Sequence, residues 1–336
     1  MKKDTMENKK ENILETMPVL PLFIKMAIPA VLSQLISILY NLVDKMFIGH
    51  MPSGGAESLA GLGVTTPVIL FLSAFAALVS MGGAPKAAIA LGKNDNETAE
   101  RIMGSCMAML TVLSLVLTVG MLLWGKNFLL LFGASENTIG YAVDYMRIYC
   151  LGTIFIQLAL GLNAFITTQG YTKISMINVA IGAVINVILD PILIYGFHMG
   201  IKGAAIATVI AQGISSLVII RFLISEKSMI RLRRSYIRFD WGLLLPCLLL
   251  GTSPALMQIT ENMVAISFNT VLQKYGGDIA VESMSILNSV MQFVMLLLPG
   301  LVQGAQPILS YNLGAHKYDR VKRTFRYLLA ACVAGS

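Results

Sequence analysis

The sequence predicts an all-α integral membrane protein. Of its 336 residues, 56% are hydrophobic and only 13% are charged, and the mean hydropathy is +0.74. Soluble domains carry about 25% charged residues, so this composition excludes an ordinary soluble protein. Apolar stretches long enough for spans of about 20 residues recur along nearly the whole chain, and helices satisfy their own backbone hydrogen bonds in lipid.

Largely apolar runs separated by polar or glycine-rich segments define the predicted spans in order. These spans are 20–49, 57–83, 103–124, 142–168, 175–196, 203–223, 242–270 and 279–310. A ninth begins near Phe325, and residues 327–336 are long enough for only about half of the ~30 Å hydrocarbon thickness. We therefore expect a multi-pass membrane protein that lies in the plasma membrane.

Basic residues divide unevenly between the two sides of the membrane. One side holds the N-terminus with Lys2, Lys3, Lys9, Lys10, Lys93, Arg101, Lys173, Lys227, Arg231, Arg233, Arg234, Arg238, Lys317, Arg320, Lys322 and Arg323. The loops of the other side hold little more than Lys126, Lys202 and Lys274. Because Lys and Arg accumulate in cytoplasmic loops, we expect a cytoplasmic N-terminus. The net charge of +7 is then a topology signal, and no nucleic-acid partner is expected.

No pattern in the sequence indicates catalysis or a bound cofactor. Cys106, Cys150, Cys247 and Cys332 stand singly in apolar spans, and the three histidines form no cluster with metal-ligand spacing. Motifs for nucleotide binding, zinc hydrolysis and serine nucleophiles are missing from the sequence. We expect a protein that is not an enzyme and has neither a metal site nor a covalently bound cofactor.

Two carboxylates lie inside apolar spans, Asp44 in the first and Asp190 in the fifth. A charge at bilayer depth costs about 3 kcal/mol or more, so such groups usually face a polar cavity and carry function. Tyr40 stands four residues before Asp44, and Asn186 stands four before Asp190, so each pair shares one helix face. This pattern favours a transporter, in which a cation neutralises the buried charge and shifts the balance between two arrangements.

Two prolines accompany these carboxylates. Pro191 follows Asp190 and leaves the carbonyl of Val187 without its helical amide partner, and Pro29 does the same for the carbonyl of Lys25. Freed carbonyls beside a carboxylate supply the polar lining that midplane ion sites use. We therefore predict that the helices bend at Pro29 and Pro191.

A segment of the chain recurs 222 positions later. The matched residues are Gly82, Pro85, Gly92 and Arg101 with Gly304, Pro307, Gly314 and Arg323. The pairs Gly54-Gly55 and Gly276-Gly277 keep the same offset. Chance similarity of two apolar helix ends explains these fixed positions less well than duplication. Parallel repeats are a known plan for transporters, with the substrate site between the halves.

The repeat divides the chain into four segments. Residues 1–17 form a cytoplasmic tail, 18–225 a first lobe with transmembrane helices 1–6, and 226–241 a cytoplasmic linker. Residues 242–336 form part of a second lobe, with helices 7 and 8 and the start of helix 9. We thus expect two pseudo-symmetric six-helix lobes of which the second is truncated. The 336-residue chain is expected not to transport alone, because half a cavity exposes its polar wall to lipid.

From about residue 20 to its end, the chain resembles the MATE family of multidrug and toxin extrusion transporters, and within it the MepA-like branch. The resemblance rests on Ile28-Pro29-Ala30, Val43-Asp44 through Gly49, Gln169-Gly170-Tyr171-Thr172, Asn186 to Asp190-Pro191, Gly203-Ala204-Ala205, and Gln306-Pro307 through Ala315. It implies the two-lobe MATE fold and efflux of lipophilic or cationic drugs and dyes by alternating access. Inward movement of protons, or alternatively of sodium, would drive the antiport. The other expected partner is the lipid bilayer, and the protein is expected to be a monomer.

The resemblance also implies a proton site in the first lobe, with Pro29 as its bending point. The implied network consists of Tyr40, Asp44, Tyr145, Asn163, Asn186, Asp190 and Thr208. For Tyr145, Asn163 and Thr208 the alternative is hydrogen bonding between helices, worth about 0.6 kcal/mol each. For the two aspartates the alternative is a purely structural role.

A second group of polar residues lies in spans and is compatible with a substrate or second cation site. It consists of Gln34, Gln258, Glu261, Asn288 and Gln292. Glu261 follows Pro254 by seven residues, and sodium-coupled NorM-like members carry a functional glutamate in this helix at a register that differs by one residue. An interhelical role is the alternative for Glu261.

Two other functions stay open on the sequence. A lipid-linked saccharide flippase of the same superfamily is expected to need a basic cavity, whereas the spans hold few basic residues, chiefly Lys25, Lys45, Lys86 and Arg147. A receptor or scaffold without transport belongs to a different class. Substitution of the carboxylates separates these functions, because an antiporter loses transport while it keeps its fold.

Overall fold

A computed structural model describes residues 13–52, 54–132 and 134–335. Within its longest helix, it describes the backbone alone at positions 265, 269, 270, 273, 274, 276–283, 285, 286, 288–290 and 292–294. The helices are α1 (Ile13–Thr16), α2 (Val19–Gly49), α3 (Gly55–Gly92), α4 (Asn96–Leu131), α5 (Ile139–Leu151), α6 (Thr153–Thr168), α7 (Thr172–Pro191), α8 (Ile201–Ile224), α9 (Trp241–Met295), α10 (Leu297–Gly314) and α11 (Tyr318–Gly335). Over the described residues the fold is all-helical, as predicted.

Among the residues that the structure describes, six helices are long and apolar enough to cross a membrane, namely α2, α3, α4, α7 with the turn after it, α8, and α9 as far as Phe268. The pair α5 and α6 makes a seventh span if it is counted as one, and it is bent by 60° at Gly152. A Cβ on Gly152 would collide with Val209 of α8, so the close packing of the bend against α8 requires glycine at this position. These helices confirm a multi-pass membrane protein.

The break between the last two predicted spans differs from the expectation. The sequence predicted separate spans at 242–270 and 279–310, with Gly276-Gly277 in the segment between them. The structure keeps helical backbone from Trp241 to Met295 and breaks instead at Leu296. The physical reason is that a glycine inside a helix costs only about 1 kcal/mol relative to alanine, and flanking helix formers offset it.

In the first lobe (α2–α8), α2 packs along α7, and α3 packs against α4 and α6. The side chains of Leu110, Leu162 and Phe165 are fully buried at the centre of this bundle. Gly161 lies against Leu110, and Gly83 lies against Phe165, so small residues let the helices approach closely. This packing fixes α2 and α7 side by side, and these helices carry the two buried aspartates.

The helices α9 and α10 pack across the first lobe against α3 and α2. A Cβ on Gly82 of α3 would collide with the backbone of Cys247, and one on Gly251 of α9 would collide with Leu78. On the other side, a Cβ on Gly304 of α10 would lie 2.5 Å from the Cα of Ala27. The lobes therefore meet through backbone contacts that only glycine permits.

The linker between the lobes is bound to the first lobe. Gln169 Oε1 accepts hydrogen bonds from Ser228 Oγ at 2.9 Å, from Met229 N at 2.6 Å and from Ile230 N at 3.1 Å. The buried carboxylate of Glu100 pairs with Arg233 at 2.8 Å. These contacts define what we call the linker end of the first lobe.

The segment before α2 is bound in a corresponding way to the second lobe. Arg320 donates hydrogen bonds to the carbonyls of Leu14 at 3.1 Å and Met17 at 2.7 Å. Lys317 pairs with Glu15 at 2.8 Å. Each lobe is thus held by the segment that precedes the first helix of the other.

Candidate functional site

The two buried aspartates lie together where α2 packs along α7. Asp44 is 8% exposed and Asp190 is fully buried, and their carboxyl groups lie close enough to interact with each other. Asn186 Nδ2 donates to Asp190 Oδ1 at 3.3 Å and to Thr208 Oγ1 at 3.4 Å. The predicted four-residue spacing therefore does place Asn186 and Asp190 on one face.

Aromatic side chains close the site on the side of α5. Tyr145 is buried and lies close to Thr208, Asp44 and Tyr40. Tyr149 stacks on Tyr145 with ring centroids 6.0 Å apart. The structure thus brings together six of the seven residues of the implied network.

Several oxygen atoms in this cluster lack a hydrogen-bond donor. Asp44 Oδ1, Asp190 Oδ2 and Asn186 Oδ1 are buried, and none has a donor among the described residues. A buried acceptor without a partner costs about 1–3 kcal/mol. A bound proton or a small cation supplies what these atoms need. No three His, Cys, Asp or Glu side chains in the described part of the chain come together as a metal centre would require.

The helix changes its geometry directly beside the carboxylates. After Pro191 the chain forms a π-helical turn, Ile192–Gly196, and Tyr195 Oη donates to the carbonyl of Phe47 at 2.6 Å. π-helical turns are frequent at functional sites. On α2, the helix continues through Pro29, whose own carbonyl accepts from Ser33 Oγ at 2.8 Å. The predicted bending point at Pro191 therefore coincides with a change of helix type.

Asn163 does not join the carboxylate pair. Its Nδ2 atom donates to Ser175 Oγ at 2.8 Å, near the start of α7. Ser175 precedes Asn186 by eleven residues, which is about 16 Å along a helix. The resemblance suggested a common network, but α6 carries Asn163 to the opposite end of α7. Sequence reasoning missed Ser175 and its neighbour Asn178, although polar residues at helical spacing along α7 were a signal for them.

The residues of the second predicted group are dispersed. Gln34 Nε2 donates to Gln303 Oε1 of α10 at 3.4 Å, which joins the two lobes. Gln258 Oε1 is buried and meets no donor in the described ranges, whereas Glu261 is exposed. The side chains of Asn288 and Gln292 lie outside the described residues.

A family model described as MatE matches residues 29–192 and 254–334, which is more than half of the chain. The chain belongs to the MatE family. It is a transport protein and not an enzyme, because this family consists of transporters. The prediction from the sequence is thereby confirmed at the level of the family and the fold.

The multidrug export protein MepA of Staphylococcus haemolyticus is 27% identical over 305 residues, which are 91% of this chain and 67% of that protein. MepA of Staphylococcus aureus strain N315 is 25% identical over 312 residues, which are 93% of this chain and 68% of that protein. The chain thus spans about two thirds of the length of these relatives.

Among solved structures, the MATE multidrug transporter DinF-BH in complex with the dye rhodamine 6G superimposes with a TM-score of 0.88 at 31% identity, over 96% of this chain and 71% of that chain. An outward-facing MATE transporter of the MOP superfamily gives a TM-score of 0.87 at 22% identity, over 96% of this chain and 71% of that chain, and shows the fold alone. The fold class is therefore that of MATE transporters.

Proposed function

We propose that the protein exports lipophilic or cationic compounds in exchange for protons, through a cavity between two lobes that alternate in access. The observation that carries this proposal is the burial of two carboxyl groups, those of Asp44 and Asp190, where α2 packs along α7 inside a membrane-spanning bundle. Two carboxylates in contact repel each other when both are charged, and one shared proton turns the repulsion into a hydrogen bond. The pair is thus a place to hold a transported proton.

The proton is proposed as the coupling ion because one proton shared between two carboxyl groups relieves their repulsion. Asn186 Nδ2 donates to Asp190 Oδ1 and to Thr208 Oγ1 and so holds Asp190 beside Asp44. Loss of the shared proton raises the buried negative charge of the pair from one to two between α2 and α7. Such a charge biases the equilibrium between two packings of these helices, and the π-helical turn after Pro191 is the element that can adjust.

The substrate class is supported by the relatives and by α9. The relatives are named multidrug export proteins, and one solved structure holds rhodamine 6G. Beyond Ala255, which is buried, α9 exposes Met257, Met263 and Phe268. Methionine-rich surfaces adapt to ligands of different shapes. We further propose that the N-terminus and the linker end are cytoplasmic, as the distribution of Lys and Arg predicts.

Uptake of rhodamine 6G into proteoliposomes under an imposed proton or sodium gradient tests this proposal. Because the chain spans about two thirds of its relatives, the assay uses the chain alone and the chain continued with the final helices of the S. haemolyticus MepA. We expect the continued chain to accumulate the dye with a proton gradient and not with a sodium gradient. Accumulation driven by sodium alone contradicts the choice of ion, and no accumulation with either gradient contradicts drug antiport.

A further inference from the structure

A row of polar residues runs along one face of α7, from the carboxylate pair to the linker end of the first lobe. The polar residues are Ser175, Asn178, Asn186 and Asp190, and Gly182 lies between Asn178 and Asn186, so that each position follows the previous one by three or four. Side chains at this spacing share a helix face. The row is about 22 Å long at 1.5 Å per residue, which is most of the thickness of a hydrocarbon core.

Neighbouring helices supply polar groups to the same row. At its linker end, Asn163 of α6 donates to Ser175. Near its middle, Ser215 Oγ of α8 donates to the carbonyl of Asn178 at 3.5 Å. A Cβ on Gly182 would lie 2.6 Å from Ser215 Oγ, so the missing side chain leaves room for this hydroxyl. The row is therefore bordered by hydrogen-bonding groups of α6 and α8.

The acceptors of this row are buried and unsatisfied. The Oδ1 atoms of Asn163, Asn178 and Asn186 and Oδ2 of Asp190 have no donor within residues 13–52, 54–132 and 134–335. Asn178 is 4% exposed, Asn186 2% and Asp190 0%. More than about 90% of buried polar groups in proteins are paired, so four unpaired oxygens in one row need an explanation. Internal water is the usual partner of such groups.

We propose that these groups hold a file of water molecules that conducts protons between the Asp44–Asp190 pair and the linker end of the first lobe. The O–H bond of the protonated carboxyl breaks as a new O–H bond forms on the first water. Each water then passes one of its protons to the next, and one proton leaves at Ser175. This inference rests on the proposed proton site, and with a cytoplasmic linker end it supplies the exit of the driving proton.

Water is the carrier because the row has no titratable side chain between Ser175 and Asn186. The titratable groups near the pair come from α2 and α5 and lie at the carboxylate end of the row. Tyr40 and Tyr145 interact electrostatically with Asp44. Lys45, the exposed residue after Asp44, acts on it through its charge, and Tyr149 stacks on Tyr145. The far end of the row therefore depends on neutral amides and hydroxyls alone.

Infrared spectroscopy of the chain in proteoliposomes tests the file. The pH is changed quickly on one side of the membrane, and the C=O band of protonated carboxyl groups is followed in time. The part of the band that disappears in Asp44→Asn and Asp190→Asn belongs to the pair. A thiol label on Lys93→Cys, an exposed position at the linker end, measures how many chains face the changed side.

For chains whose linker end faces the pH change, we expect the C=O band to change at least tenfold more slowly in Asn178→Leu and in Gly182→Val than in the wild type. The final amplitude of the change should be the same. Asn178→Ser, which keeps a hydrogen-bonding group, should stay near the wild-type rate. Ile177→Leu is the matched control, because Ile177 directly precedes Asn178 on α7 and its side chain is exposed. Thermal unfolding of each variant shows that the bundle is intact.

The outcomes separate this inference from the proton site itself. Wild-type rates in both Asn178→Leu and Gly182→Val overturn the water file while the carboxyl band confirms the site. An equal slowing in Ile177→Leu also overturns the file, because it assigns the effect to packing of α7. A spectrum without any band that depends on Asp44 and Asp190 overturns both the proton site and the file.

Discussion

Gly92 on α3 and Gly314 on α10 occupy equivalent places in one helix crossing, 222 positions apart. A Cβ on Gly92 would collide with the carbonyl of Tyr311, and one on Gly314 would collide with the carbonyl of Ile89. Tyr311 and Ile89 are themselves 222 positions apart. The repeat found in the sequence is therefore a two-fold relation in space, and both glycines act where the lobes touch.

Gly92→Ala and Gly314→Ala should each destabilise the contact between the lobes, by about 1–3 kcal/mol, because a methyl group is forced into a close-packed crossing. The measurement is the thermal unfolding midpoint of the purified protein in detergent. Gly63→Ala is the control, since a Cβ at Gly63 meets nothing within 4 Å. A midpoint in Gly92→Ala that equals that of Gly63→Ala would show that the crossing is looser than described.

How the linker is held leads to a second prediction. Gln169→Leu removes the acceptor of three hydrogen bonds and leaves the buried amide of Ile230 without a partner, at a cost of about 1–3 kcal/mol. We expect amide hydrogen exchange of Met229 and Ile230 to become at least tenfold faster. Tyr171→Phe, which removes only one bond to the carbonyl of Lys227, should change their exchange little. Unchanged exchange in Gln169→Leu would mean that this side chain does not hold the linker.

The N-terminal segment supplies a third prediction. Arg320→Gln removes the donor that binds the carbonyls of Leu14 and Met17 and the Oδ1 atom of Asn312. Hydrogen exchange over residues 13–17 should become faster, because their tether to α11 is lost. The matched control is Arg323→Gln, at an exposed position of the same helix. Equal exchange in the two variants would argue against the tether.

A fourth prediction concerns pH at the start of α4, outside the membrane spans. Asp95 caps this helix by accepting a hydrogen bond from Thr98 N at 3.0 Å, and the bonds from Thr98 lower the pKa of its carboxyl. A carboxyl group whose pKa is lower in the folded than in the unfolded protein stabilises the fold when the pH is above the unfolded pKa of about 3.9. This stabilisation is lost as the pH falls through the folded-state pKa.

Asp95→Asn keeps the capping oxygen but removes the charge. The wild type should therefore unfold at a higher temperature than Asp95→Asn above about pH 5, and the difference should shrink below about pH 4. Asp95→Ala should lose about 1 kcal/mol even at acid pH, because the cap itself is gone. A wild-type advantage over Asp95→Asn that does not change with pH would contradict the role of the charge.

Much of the fold follows from the sequence, because apolar length and helical period are local properties. The first-lobe spans match helices to within a few residues at most ends, although α3 and α4 extend further into the loops than their apolar parts. The break at Leu296 was not predictable, because Gly276-Gly277 is compatible with a turn and with a helix. Only tertiary contacts decide between the two.

The site could be predicted where it depends on one helix and not where it depends on packing. The pairs Tyr40 with Asp44 and Asn186 with Asp190 follow from four-residue spacing. The partnership of Asn163 with Ser175 depends on how α6, after the bend at Gly152, packs against α7. No local pattern encodes that angle.

Export by carboxylate variants tests the central claim most directly. Cells express the chain continued with the final helices of the S. haemolyticus MepA, as wild type, Asp44→Asn or Asp190→Asn, and rhodamine 6G efflux is measured at equal amounts of membrane protein. Asp144→Asn is the control, because Asp144 is partly exposed and pairs with Lys202 at 3.3 Å. We predict that Asp44→Asn and Asp190→Asn reduce efflux to the level of cells without the protein, while Asp144→Asn keeps it. Normal efflux in Asp44→Asn and Asp190→Asn would contradict the account and place the coupling outside this pair.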